Sequence, residues 1–93
     1  MPLTYQTITT RGKELLKEAQ KLVDEDRQSS YGPPEESFKR LAKLWSAYLD
    51  VEITPHDACV MMTLLKISRL AYKPSKDSST DGAAYLCLAH QVS

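Results

Sequence analysis

Apolar residues recur along this chain at helical spacing and predict four helices and no strand. In the first, from about residue 9 to residue 27, Leu15, Leu16, Ala19, Leu22 and Val23 fall at i, i+1, i+4, i+7 and i+8 and draw one apolar stripe. The other positions, Lys13, Glu14, Lys17, Glu18, Lys21, Asp24 and Glu25, make a mixed-charge face that belongs in water. A break follows at Gly32-Pro33-Pro34, where glycine permits unusual backbone angles and proline cannot continue a helix from upstream. Pro34 suits the first turn of a second helix, 34–49, and Glu35 and Glu36 sit where acids favour the positive end of the helix dipole. Phe38, Leu41, Ala42, Trp45, Tyr48 and Leu49 form its core stripe, with Tyr48 placed to show its hydroxyl at an edge.

The third helix, 55–72, has the sharpest start signal. Thr54 is an N-cap, Pro55 fits the first helical position, and Asp57 stands three residues after the cap. From Cys59 to Tyr72 it is apolar on nearly every face. The polar, proline-broken stretch from Lys73 to Ser79 reads as a loop. A fourth helix, about 80–91, begins near Ser79 to Asp81, and its Gly82, Ala83 and Ala84 allow a neighbouring backbone to approach closely.

Ninety-three residues make one domain, 1–93, and a chain this short buries only about 60–65% of its unfolded surface. Two successive helices with little polar surface carry more hydrophobic face than one such protomer hides. The reading is an all-α, four-helix bundle-like single domain that forms a symmetric homo-oligomer. The alternative is that the first two helices cover both apolar ones.

Twelve basic and twelve acidic residues give zero formal net charge. No excess positive field drives non-specific binding to nucleic acid or anionic lipid. No apolar run reaches the roughly 18 residues of a membrane span and no signal peptide is visible, so the expected location is the cytoplasm. Cys59 and Cys87 lie in apolar runs and read as buried reduced thiols.

Three glycines cannot build a phosphate loop, no serine sits in a nucleophile elbow, and His56 and His90 lack metal-pair spacing. His56 reads as a surface residue of the first helical turn. What stands out is a basic pair, Lys66 and Arg69, set into the greasy third helix. A cation there is paired or lines a pocket that an anion enters. Lys66 and Arg69 would hold phosphate, and Tyr31 and Tyr85 would stack on a base. Equally, the two cations would pair with Asp81 and with Glu35 or Glu36, tying helices together. Glu35, Glu36, Asp77 and Asp81 would suit magnesium.

The run from Tyr31 to Leu49, YGPPEESFKRLAKLWSAYL, resembles the pattern YG-x-P-x-E-N-F-x-R-I-A-x-L-W-S-x-Y-L of an uncharacterised helical family of phages and prophages. Lys66-Ile67-Ser68-Arg69 and the block from Asp77 to Tyr85 extend the likeness over roughly residues 30–89. More distantly, that family is similar to the all-α nucleotide pyrophosphohydrolases of the MazG type, whose E-E-x-x-E and E-x-x-D motifs hold magnesium against a nucleoside triphosphate. Here Glu35-Glu36 is followed by Phe38 and Lys39, and the third helix offers Lys66 and Arg69 instead of acids.

The first functional expectation is therefore a cofactor-free protein that sequesters a nucleotide or other phosphorylated small molecule without turnover, through Lys66, Arg69, Tyr31 and Tyr85. A second is a divergent hydrolase with magnesium on Glu35, Glu36, Asp77 and Asp81. A third is a phage factor that docks an apolar helix on a host protein.

Overall fold

The computed structural model describes residues 4–26 and 32–93. The order is α1 (Tyr5–Lys21), which closes in a π-helical turn at Leu22–Asp26, then α2 (Pro34–Leu49), α3 (Pro55–Tyr72) and α4 (Lys76–Gln91). No strand occurs among the described residues. The far end of the first helix at residue 27 and the tyrosine at 31 lie outside them.

Two helices begin earlier than the sequence pattern places them. α1 starts at Tyr5 and runs through Thr7, Thr9 and Thr10. Threonine is a modest helix former, and that weak preference is overridden here. α4 starts at Lys76 because Ser75 caps it: the Ser75 hydroxyl oxygen accepts the Ser78 N–H at 3.3 Å. Thr80 then donates its hydroxyl to the Lys76 carbonyl at 2.8 Å. A stretch that looks like a loop by composition satisfies its small polar side chains on its own backbone.

α3 has a full capping box. Thr54 Oγ1 accepts the Asp57 N–H, and the Thr54 N–H donates to Asp57 Oδ2, both at 3.0 Å. Asp50 ends α2 in the left-handed region at φ 55°, a conformation aspartate tolerates better than most residues. The turn after it is fastened by Ser46, whose oxygen accepts the Ile53 N–H at 2.8 Å and whose hydroxyl donates to the Ile53 carbonyl at 3.2 Å.

α3 and α4 form an antiparallel hairpin. Its register is marked by His56 Nδ1, which donates to the Ala89 carbonyl at 2.9 Å, since a carbonyl oxygen only accepts. His56 is thus a tie between the start of α3 and the end of α4, not simply a surface side chain. The core is built from Phe38 and Ala42 of α2, Ala58 and Cys59 of α3, and Tyr85, Leu88 and Ala89 of α4. Alanines at the contact let helix axes come close, and Phe38 meets Tyr85 edge to face, with ring centroids 6.2 Å apart at 85°. α1 packs on α4, burying Ala19 and leaving Leu16 in water.

The fold is elongated. Its radius of gyration is 15.1 Å over extents of 50 × 28 × 20 Å, against about 12 Å for a compact chain of this length.

Candidate functional site

Lys66 and Arg69 part company in three dimensions. Residues three apart differ by about 60° around a helix, and here that angle separates inside from rim. Lys66 faces α4: its Nζ lies 3.0 Å from Asp81 Oδ2, and the two side chains are only 12% and 30% exposed. The lysine stem passes over Gly82, where a β-carbon would sit at ordinary contact distance, 3.5 Å from the Lys66 Cβ. Arg69 is exposed and forms no ion pair among the described residues.

Tyr85, expected to stack on a ligand base, is 7% exposed, and its ring is engaged with Phe38 in the core. Tyr31 lies outside the described residues. Of the four carboxylates expected around magnesium, Asp77 and Asp81 share a cleft and Glu35 and Glu36 lie apart from it. Glu35 accepts the Gln91 side-chain amide at 3.2 Å, and Asp81 holds Lys66. Glu36 lies in a groove on α2 with Lys39, Arg40 and Lys43, whereas Asp77 and Asp81 share a cleft with Glu18 and Lys21. Among the described residues, no group of three or more histidines, cysteines, aspartates or glutamates is arranged to hold a metal ion.

The clefts of the described surface include three that run along or between its helices. The first, about 560 Å³, lies between α1 and the start of α4 and is lined by Arg11, Glu14, Leu15, Leu70, Lys76 and Ser79. Its lysine is engaged with Glu18 at 2.8 Å, and that hydrogen bond raises the lysine pKa above its ordinary value. The other two are the α2 groove, about 480 Å³, and the acidic cleft at Asp77, about 340 Å³. None of the three is lined by Lys66, Arg69 or Tyr85.

Two carboxylates are held below the ordinary range. Glu35 is lowered first by a backbone hydrogen bond in its own first turn and then by Gln91. Asp57 is lowered by the backbone N–H and the side chain of its capping partner Thr54. Both shifts belong to helix ends and point to no chemistry. Among the described residues neither cysteine is in a disulfide: Cys59 is buried, whereas Cys87, contrary to its apolar setting in the sequence, is exposed.

The feature that is open is the outer face of α3. Met61, Leu64, Leu65, Ile67 and Tyr72 are 36%, 55%, 42%, 52% and 92% exposed. With Ser68 and Ala71 between them they form a stripe at i, i+3, i+4, i+7, i+10 and i+11 from Met61, with Ile67 on its flank. No charged side chain interrupts its middle; Arg69 stands at its edge. The signal in the sequence was the apolar run itself. Composition shows that α3 has apolar surface on every side but not which half its neighbours leave uncovered.

Geometry thus defines a small all-helical domain with an open apolar face on α3. The chain belongs to the family described as domain of unknown function DUF6378, which it matches over residues 14–93. It is 42% identical over 74 residues to the Gene 55 protein of Mycobacterium phage D29, covering 78% of this chain and 49% of that protein. It is 40% identical over 73 residues to the Gene 55 protein of Mycobacterium phage L5, covering 76% and 47%. The chain therefore spans about half the length of these curated relatives. The motif resemblance to an uncharacterised phage family agrees with these matches. No solved structure matches significantly. Among the described residues no helix is long and apolar enough to cross a membrane.

Proposed function

We propose that this domain is a non-catalytic, phage-type docking module that works in the host cytoplasm by binding protein through the outer face of α3. The observation that carries this reading is the uncharged stripe of Met61, Leu64, Leu65 and Tyr72. It exposes on the order of 500 Å² of mostly apolar surface, the size at which a patch on a small protein is commonly an interaction site. Nucleotide sequestration draws less support, because one of its two cations is held by Asp81 and its stacking tyrosine at 85 is in the core. Hydrolysis draws less still, because among the described residues no three histidines, cysteines or carboxylates are arranged to hold a metal ion.

The test places a photo-crosslinking residue at position 64 and, as a control, at exposed Lys43 on α2. A protein adduct formed from position 64 alone, whose purified partner binds the wild type but not Leu64→Glu, supports docking. The reading fails if position 64 yields no protein adduct. It also fails if a nucleotide panel, with or without magnesium, raises the melting temperature in a way that Arg69→Ala abolishes.

A further inference from the structure

We infer that the occupant of the α3 face is a second copy of this chain, packed antiparallel across a two-fold axis at the middle of the helix. The inference rests on the docking reading above and names its partner. Three observations favour a copy over a different protein.

The first is charge. The stripe is neutral along its middle, and the chain carries zero formal net charge, so two copies meet without repulsion. The ends of α3 are not neutral. Glu52 and Asp57 stand at its start, and Arg69 and Lys73 at its end. An antiparallel pair sets acids beside bases and opposite helix-dipole ends together, whereas a parallel pair sets like beside like.

The second is shape. With the axis between Leu64 and Leu65, each position i faces position 129 − i of the other copy. Met61 then falls opposite the small Ser68, Leu64 opposite Leu65, and the Tyr72 hydroxyl opposite Asp57. Large side chains meet small ones, as ridges meet grooves between packed helices.

The third is area. A stable interface buries about 800 Å² a side with an apolar centre and a polar rim. The α3 stripe supplies roughly half of that as apolar centre, and the terminal charges supply the rim. A second copy also thickens a fold whose radius of gyration is 15.1 Å.

The experiment measures mass by sedimentation equilibrium from about 1 to 100 μM, the range in which an interface of this size associates. The wild type is expected at the dimer mass, and Leu64→Glu at the monomer mass with unchanged helical circular dichroism. A second arm needs no disruption. In a Cys87→Ser background, Met61→Cys with Ser68→Cys places two thiols about 10.5 Å apart along one helix, beyond the roughly 7 Å Cα separation that a disulfide spans. Any disulfide they form links two chains. Rapid oxidation to a covalent dimer is expected, with none from Leu16→Cys on α1 in the same background. A wild type that stays monomeric to 100 μM overturns the inference, as does a larger assembly that Leu64→Glu leaves intact. If the crosslinker at position 64 then captures another protein, docking stands and self-association falls; if it captures nothing, both fall.

Discussion

Lys66 is the position at which a structural and a ligand-binding role are most sharply opposed. Its ammonium stands 3.0 Å from the Asp81 carboxylate with 12% of its side chain exposed. At an effective dielectric of about 20 the gross attraction over that distance is about 5 kcal/mol, most of it offset by desolvation. Replacing Lys66 with Met keeps the stem that packs over Gly82 and removes only the charge. Asp81, 30% exposed, is then left charged and mostly covered. Breaking a fully buried pair costs about 3–5 kcal/mol and an exposed one less than about 1. This half-covered pair should cost about 2 kcal/mol, a fall in melting temperature of roughly 8–16 °C for a domain of this size.

Removing both charges, with Lys66→Met and Asp81→Asn together, leaves nothing unpaired and should restore most of that loss. Arg69→Ala, at the exposed rim, should change stability by less than about 0.5 kcal/mol. Urea unfolding of the wild type, Lys66→Met, Asp81→Asn and the double variant gives the cycle, all at one fixed concentration because an associating protein gains stability with concentration. A coupling energy of at least about 1 kcal/mol between Lys66 and Asp81 is expected. If Lys66→Met unfolds at the wild-type midpoint, or the double variant loses the sum of the singles, the ion pair does not hold the hairpin and the argument fails.

Thr54→Ala removes the side-chain half of the α3 capping box and should cost about 1 kcal/mol, seen as a lower urea midpoint at unchanged slope. Gly82→Ala puts a methyl at ordinary contact distance from Lys66 and should stabilise by about 0.5–1 kcal/mol, whereas Gly32→Ala, at φ +82°, should destabilise by about 1. The opposite result for either glycine in thermal melts would contradict the backbone described here. Glu35 and Asp57 have folded pKa values below their unfolded ones. Their contributions are therefore complete above about pH 4 and are lost as pH falls through the folded values. Acid unfolding should be less steep in Asp57→Asn, and identical acid limbs would remove Asp57 from the account. Lys76 has a raised folded pKa, so its contribution is complete below about pH 10.4 and is lost as pH rises through the raised value. Glu18→Gln should flatten that alkaline limb.

The limits of α2 and α3 were legible in the sequence because each is set by local chemistry: Pro34 and the paired acids for one, Thr54-Pro55 and Asp57 for the other. α4 was misjudged at its start because Ser75 to Ser79 has the composition of a loop, although a serine directly after Pro74 and three residues before another amide donor is a cap pattern. The contacts that fix tertiary register left less trace. His56 reaches an α4 carbonyl 33 positions away, and spacing within one helix carries no record of such a partner.

The same limit explains the basic pair and the phage-family motif. Three-residue spacing places Lys66 and Arg69 on one broad face, but packing against α4 divides that face into a covered side and a wet one, and the division depends on where α4 lies. Within the motif Leu44-Trp45-Ser46-x-Tyr48-Leu49, the serine has a structural use, because it fastens the turn that leads into α3. Trp45 has one too, packed against the core. Leu44 and Tyr48 have none inside this chain, being 62% and 87% exposed. Trp45 and Ser46 of that motif thus sustain the fold, while Leu44, Tyr48 and Leu49 are exposed, as the outer face of α3 is. A ligand pocket would turn its specific side chains inward to converge on a cavity. These point away from the core, the arrangement a helical module needs when its function is to meet another surface.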